Sequence, residues 1–120
     1  MEKENIIKSK SFQLALDIIE LYKTLVAKNE YVMSKQILKS GTSIGANVTE
    51  SNGAISDADF SNKISIAYKE ALETKYWLEL LYKSDYIDKT RYTRLINNTD
   101  EICRILFSIL KKTRINKPVN

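Results

Sequence analysis

The chain has 120 residues, 43% hydrophobic and 28% charged, with a formal net charge of +4. This balance is typical of one globular domain over residues 1–120 and excludes a disordered or fibrous chain, while the mild positive charge permits anionic partners. The chain has no histidine. This absence excludes Ser-His-Asp and Cys-His catalysis, and it excludes the Glu-x-x-His di-iron sites of ferritin-like bundles.

The only cysteine, Cys103, lies among apolar residues and has no partner for an internal disulfide. We therefore expect a buried thiol in a reducing compartment, with a reactive thiol as the alternative. The N-terminal segment is charged, and no apolar run approaches the ~18 residues of a membrane span. The sequence predicts a cytoplasmic protein without a membrane contact.

Two neighbouring apolar rows predict a first helix over about residues 9–28. The polar arc between the rows is narrow, so we expect this helix to bury more of its circumference than a simple surface helix does. Asn29-Glu30 then forms a short connection. The first row is Phe12, Leu16, Ile19, Tyr22 and Val26, and the second is Leu14, Ile18, Leu21 and Leu25.

A second helix is predicted over about residues 33–54, although it contains Gly41 and Gly45. Each glycine costs about 1 kcal/mol relative to alanine in a helix, so the pair predicts close approach by a neighbouring helix. Asn52-Gly53 is suited to end this helix with a residue in the left-handed backbone conformation. One seam of this helix holds Ile37, Gly41, Ile44, Val48 and Ile55.

The capping box Ser56-Asp57-Ala58-Asp59 predicts the start of a third helix, over about residues 57–84. Its seam carries small residues, which we expect to face the small residues of helix two. A fourth helix is predicted over about 88–112 with Asp88 as N-cap, followed by a basic tail over 113–120 whose end we expect to be disordered. Four long helices with short connections predict an all-α, antiparallel, up-down-up-down four-helix bundle.

Polar residues near the seams of helices two and three predict a structural network that fixes the register between them. Its members are Ser43, Asn47, Glu50, Glu70, Glu73 and Thr74. For Asn47 and Glu50 the expected partners are Thr74, Tyr76 and Lys69. A ligand site, or a hydrolase that uses paired carboxylates, stays an alternative. We expect no metal and no cofactor.

The end of helix three, Tyr76 to Tyr82, is apolar nearly all round. This predicts an oligomer interface that contains Tyr76, Trp77 and Leu80. The alternative is that these aromatic rings cap a wide core and keep their polar tips in water.

Basic residues on helices two, three and four are candidates for nucleic-acid contact, and an ordinary solvated surface is the alternative. The candidates are Lys35, Lys39, Lys63, Lys111, Lys112 and Arg114. Oligomerisation would repeat each lysine around an axis and concentrate the positive field.

The runs 36–50 and 69–81 resemble the four-helix-bundle proteins encoded in intervening sequences of bacterial 23S ribosomal RNA, the S23 family. The resemblance extends from about Phe12 to Leu110. More distantly, the chain is similar to the accessory bundle protein of diversity-generating retroelements, which partners a reverse transcriptase. The S23 resemblance implies a homopentameric ring with a basic surface that contacts RNA or DNA, and no catalytic residue. Many relatives have arginine at Lys39 and Ser40, so a phosphate contact there is expected to be weaker.

We therefore expect a non-enzymatic, oligomeric bundle that binds structured nucleic acid, with RNA favoured. A protein-interaction scaffold or accessory subunit that uses the aromatic end of helix three is the alternative.

Overall fold

The computed structural model describes residues 2–115, with side chains for residues 5–113. The described residues form four helices: α1 Glu2–Ala27, α2 Met33–Ser51, α3 Asp57–Lys83 and α4 Lys89–Ile115. Each helix packs on the next along the chain, and α4 packs on α1, so the helices form a closed square. The connections are short, so successive helices run antiparallel and the bundle is elongated, measuring 51 × 26 × 22 Å. The predicted four-helix bundle is confirmed.

Local capping residues correctly predicted the starts of α3 and α4. The Oγ of Ser56 accepts a hydrogen bond from the backbone N–H of Asp59 at 3.0 Å, as the capping box predicts. Asp88 Oδ1 likewise accepts from the N–H of Arg91 at 2.8 Å. α1 starts at Glu2, seven residues before the predicted start, because Ile7 is buried and continues the core row of this helix.

The helix ends differ from the prediction. Asn52 closes α2 in the right-handed helical region (φ −69°), and no glycine among the described residues has a positive φ. The left-handed residues are Asn29 (φ 65°) and Asp85 (φ 66°), which end α1 and α3. In each case the following residue donates back to the helix, with the Glu30 N–H bonded to the Leu25 carbonyl at 2.9 Å. These are Schellman ends formed by Asn and Asp.

The two helical glycines of α2, Gly41 and Gly45, face α1, whereas the small residue Ser40 faces α3, where its hydroxyl accepts from Thr74. A Cβ on Gly41 would lie 2.8 Å from Ile18 Cγ1, and a Cβ on Gly45 would lie 3.4 Å from the backbone oxygen of Ser11. The predicted close approach is therefore present, but its partner is α1 and not α3. The periodicity gives the face of a helix, and it does not give the neighbour that covers that face.

Two further expectations about burial were wrong. Ile55, placed on the α2 seam, lies in the connection after the helix and is 93% exposed. Of the two α1 rows, the one that contains Leu14 and Ile18 is buried, whereas Phe12 in the other row is 66% exposed. In this second row Phe12 and Leu16 are exposed, whereas Ile19, Tyr22 and Val26 are half-buried, so only the first part of the row lies at the protein surface. The predicted basic tail is helical up to Ile115, and residues 116–120 lie outside the described residues.

Candidate functional site

The α2–α3 interface contains one buried pair of hydroxyl groups. Thr74 Oγ1 donates to Ser40 Oγ at 3.0 Å, and both residues are fully buried. Thr74 Oγ1 also lies 2.8 Å from the carbonyl oxygen of Glu70, within its own helix. Since buried hydroxyl groups without partners are costly, this pair favours one register between the two helices. Ser40 was not among the predicted network residues.

The other predicted network residues of α2 bond differently from the expectation. Asn47 Nδ2 donates to the Ser43 carbonyl at 2.8 Å, and Ser43 Oγ donates to the Lys39 carbonyl at 2.6 Å, so both stay within α2. The Glu50 carboxylate pairs with Lys63 Nζ at 3.0 Å. The expected partners in the second half of α3 were therefore wrong, because the antiparallel packing places the end of α2 opposite the start of α3.

The two predicted carboxylates of α3 lie on its outer side. Burial raises the pKa of Glu70, the nearby Glu73 raises it further, and Lys39 and Lys69 act in the opposite direction. Glu73 accepts a long hydrogen bond from Trp77 Nε1 at 3.5 Å. Neither carboxylate reaches the Ser40–Thr74 pair by a side-chain hydrogen bond, so the six predicted residues do not form one connected network.

The candidate basic residues differ in whether their charge is already paired. Lys63 is bonded to Glu50, which is the main cause that raises the pKa of its ammonium group. Lys35 and Lys39 are exposed one helical turn apart on α2, and neither takes part in an ion pair among the described residues. Lys39 also lies close enough to Glu70 of α3 to act on the pKa of that carboxyl. The two lysines form the basic face of α2, and within the described part of the chain Lys35 is its charge without a carboxylate partner.

The remaining basic candidates lie at the other end of the bundle. Lys111 and Lys112 are exposed near the end of α4, whereas Lys35 and Lys39 occupy the first half of α2. In this antiparallel bundle, the end of α4 and the start of α2 are at opposite ends of the 51 Å axis. One copy therefore does not bring these lysines into one contiguous surface. The side chain of Arg114 lies outside the described residues.

The aromatic end of α3 splits into a buried part and an exposed part. Tyr82 stacks on Tyr92 of α4 with ring centroids 4.3 Å apart, and Trp77 is half-buried against the core. Tyr76 is 56% exposed, although its ring meets Trp77 edge-on at 5.1 Å. Leu72 and Leu80 are exposed on the same face. We call the row Leu72, Tyr76 and Leu80 the α3 ridge.

A second apolar surface lies between α1 and α2 and was not predicted. Phe12, Leu16 and Ile19 line one side, and the small residues Gly45 and Ala46 contribute to the other. Its volume is about 1150 Å³. We call this surface the α1–α2 groove. The row that contains Phe12 was the available sequence signal, but apolar spacing alone favoured burial in the core.

The described residues do not assemble a metal centre. They contain no group of three or more cysteine, aspartate and glutamate side chains placed to hold a metal ion. Burial raises the pKa of Cys103, so its thiol is protonated at neutral pH. None of the helices within residues 2–115 combines the length and hydropathy that a membrane span needs.

Comparison with known proteins places the chain in a family. The family model described as 23S rRNA-intervening sequence protein matches residues 3–108. A solved structure from Bacteroides thetaiotaomicron VPI-5482, described as a protein of unknown function from the S23 ribosomal protein family, is 54% identical, with a TM-score of 0.89. The match covers 91% of this chain and 98% of that chain. No curated protein matches. The chain belongs to the family of 23S rRNA-intervening sequence proteins.

Proposed function

We propose that this protein is a non-enzymatic bundle of the cytoplasm that self-assembles and binds structured RNA through the basic face of α2. The observation that carries the proposal is the pair Lys35 and Lys39, exposed one turn apart and free of the ion pairs among the described residues. The family description, which refers to ribosomal RNA, favours RNA over DNA.

Assembly strengthens the electrostatic argument. One copy offers two lysines on α2 and two more at the far end of α4, which is a small charge for binding a polyanion. Non-specific affinity for nucleic acid grows with the number of phosphates that are neutralised. Copies arranged around an axis multiply the basic face of α2 and give one larger positive surface.

The test is fluorescence anisotropy with a structured RNA hairpin and a duplex DNA of equal length, over a salt series. We expect the wild-type protein to prefer RNA and to lose affinity steeply as salt rises. In the double variant Lys35→Gln/Lys39→Gln, the slope of log affinity against log salt should become shallower by about 2 for each copy whose α2 contacts the RNA, because each lysine that contacts a phosphate contributes about 1.

The matched control removes two lysines that are already paired. Lys23 bonds to Glu20 at 3.3 Å and Lys63 bonds to Glu50 at 3.0 Å, so Lys23→Gln/Lys63→Gln makes the same change in net charge. This control should keep most of the wild-type slope. Equal slopes in the two double variants would mean that only net charge matters. Weak binding that does not depend on salt would refute RNA binding.

A protein-interaction scaffold is the second candidate, and the observation that favours it is the α3 ridge. Three exposed apolar side chains in line on one helix form the kind of surface that partner proteins cover. Trp77→Ala is a poor probe, because Trp77 also packs against the core. Tyr76→Glu changes the exposed ridge and leaves Trp77 in place on the core, and a change in the mass of the particle in solution with full helicity would support this candidate.

A further inference from the structure

The α3 ridge and the α1–α2 groove have complementary shapes. The ridge is a convex row of three large side chains at successive i+4 positions, spanning about 12 Å along the helix. The groove is concave, because Gly45 and Ala46 leave space beside the larger side chains of α1. Its lining extends along α1 from Asn5 to Ile19, which is about 21 Å. The groove is therefore long enough to receive the ridge.

The charges around the two surfaces are also complementary. The residues that line the groove include no carboxylate. Their positive charge comes from the exposed Lys8, which has no ion pair among the described residues, because Lys10 is already paired with Glu101 of α4 at 3.0 Å. The centre of the ridge is acidic, since the exposed carboxylates of Glu73 and Glu79 flank Tyr76 three residues away on either side. The exposed Lys69 and Lys83 lie farther out, beyond the two leucines of the ridge. The centre of the ridge thus carries the charge that matches the groove.

Within one chain the α3 ridge cannot reach the α1–α2 groove. Across the described residues α1 packs on α2 and α4 but not on α3, so α1 and α3 occupy diagonal corners of the bundle. The groove opens on the outer side of α1 and α2, and the ridge points outward from α3. One copy therefore presents an unfilled groove and an uncovered ridge in different directions.

We propose that the α3 ridge of one copy seats in the α1–α2 groove of a second copy. The contact is heterologous, because each copy gives its ridge to one neighbour and its groove to another. Phe12, 66% exposed and positioned along the groove, becomes buried against the incoming ridge. The inference rests on the self-assembly part of the proposed function and names the two surfaces involved, but it does not depend on RNA binding.

The experiment measures mass in solution by size-exclusion chromatography with light scattering, across a concentration series. Wild-type protein should have a mass well above the 13.8 kDa of one chain. Phe12→Glu in the groove and Tyr76→Glu in the ridge should each reduce the mass, because each removes an aromatic ring from the contact and replaces it with a charge that the contact would have to bury. Circular dichroism checks that both variants keep their helicity. If Phe12→Glu fails to fold, Leu16→Glu takes its place in the groove, and if Tyr76→Glu fails to fold, Leu72→Glu takes its place in the ridge.

The decisive step is to mix the two variants. Phe12→Glu keeps an intact ridge and Tyr76→Glu keeps an intact groove, so an equimolar mixture should form a pair with twice the mass of one chain. An isologous contact, which uses the same patch on both copies, would give no such rescue. The control is Phe107→Glu on α4, which replaces an aromatic residue of similar exposure (48%) outside both surfaces and should keep the wild-type mass.

The outcomes distinguish the ridge-in-groove contact from the proposed function, which comprises assembly and RNA binding. A monomeric wild-type protein would refute both the assembly and the ridge-in-groove contact, while the anisotropy experiment still decides RNA binding. A wild-type assembly that neither variant changes would refute the contact and leave assembly in place. Variants that dissociate without rescue on mixing would also overturn the heterologous arrangement.

Discussion

Gly41 of α2 packs so closely on Ile18 of α1 that a methyl group at Gly41 would lie 2.8 Å from Ile18 Cγ1 and 2.9 Å from Cγ2. Ile18 is fully buried, and it is branched at the atom nearest the backbone, so it cannot turn away freely. The absence of a side chain at this position sets the distance between the two helices. The groove farther along α1 and α2 depends on the same close packing.

Replacement of Gly41 by alanine should therefore destabilise the bundle. Overpacking of a core typically costs 1–3 kcal/mol, which we expect to outweigh the gain of about 1 kcal/mol from replacing glycine in a helix. The measurement is urea unfolding followed by circular dichroism. Ile18→Ala removes both clashing carbons, so Gly41→Ala should cost less in that background than in the wild type.

Gly45 provides the matched control for Gly41. Its added Cβ would lie 3.4 Å from the nearest atoms of Ser11, which is an ordinary contact distance. Gly45→Ala should therefore keep or raise the free energy of unfolding, by up to about 1 kcal/mol. Equal effects of the two substitutions would contradict the assignment of close contact to Gly41 alone.

The buried Ser40–Thr74 pair leads to a second prediction. Thr74→Val removes the hydroxyl that donates to Ser40 Oγ and leaves a buried oxygen with only a 3.4 Å contact to the Ile37 carbonyl. We expect a loss of about 1–2 kcal/mol, since an abandoned buried polar group costs that much. In the double variant Ser40→Ala/Thr74→Val, much of this loss should be recovered. Additive losses in a double-mutant cycle would show that the hydroxyl groups do not interact.

The fold was predictable because each helix carries a strong apolar period, and two of the helix starts have short-range caps. Ser56 and Asp88 bond to the N–H three residues later, a contact that the local sequence determines almost alone. Which neighbour each face meets depends on the whole bundle. For that reason the small residues of α2 were expected to face α3, whereas Gly41 meets α1, and Glu50 was given partners that lie too far along α3.

The candidate site was less predictable than the fold. The aromatic end of α3 was predicted to be an interface, but the apolar period does not separate Trp77, which packs on the core, from Tyr76, which is exposed. Phe12 shows the same limit, since its row reads as core in the sequence and borders a groove in the structure. A sequence period gives the direction of a side chain around its helix, and it does not give the width of the core.

Glu30 leads to a pH-dependent prediction that the sequence did not offer. Its carboxylate accepts from the backbone N–H groups of Val32, Met33 and Ser34 at 3.2, 3.1 and 2.8 Å, and so caps the start of α2. Burial acts to raise the pKa of Glu30, but these three hydrogen bonds outweigh it and the pKa is lowered. The stabilisation is therefore present above the unfolded-state pKa of about 4.3 and is lost as pH falls through the folded-state pKa.

Glu30→Gln should reduce the free energy of unfolding at pH 7 by about 1 kcal/mol, the usual contribution of an N-cap. Below the folded-state pKa the difference from wild type should shrink, because the wild-type carboxyl is then also neutral. Urea unfolding at several pH values between 3 and 7 measures this. Glu20→Gln is the control, since Glu20 forms only an exposed pair with Lys23 and should show almost no effect. A constant Glu30→Gln difference at all pH values would contradict the cap.

The buried thiol of Cys103 leads to the final prediction. Burial raises its pKa, Lys75 acts against this effect, and Asp100, which pairs with Lys75 at 2.7 Å, adds to it. The reactive thiolate is therefore scarce at neutral pH and is shielded from solvent, so a thiol reagent should label the native protein far more slowly than the unfolded chain. If labelling requires global opening, its rate should follow the unfolding equilibrium. Gly41→Ala should then accelerate labelling about tenfold for each 1.4 kcal/mol that it costs, whereas Gly45→Ala should not. Labelling of the native protein as fast as a free thiol would instead identify Cys103 as an accessible, reactive group.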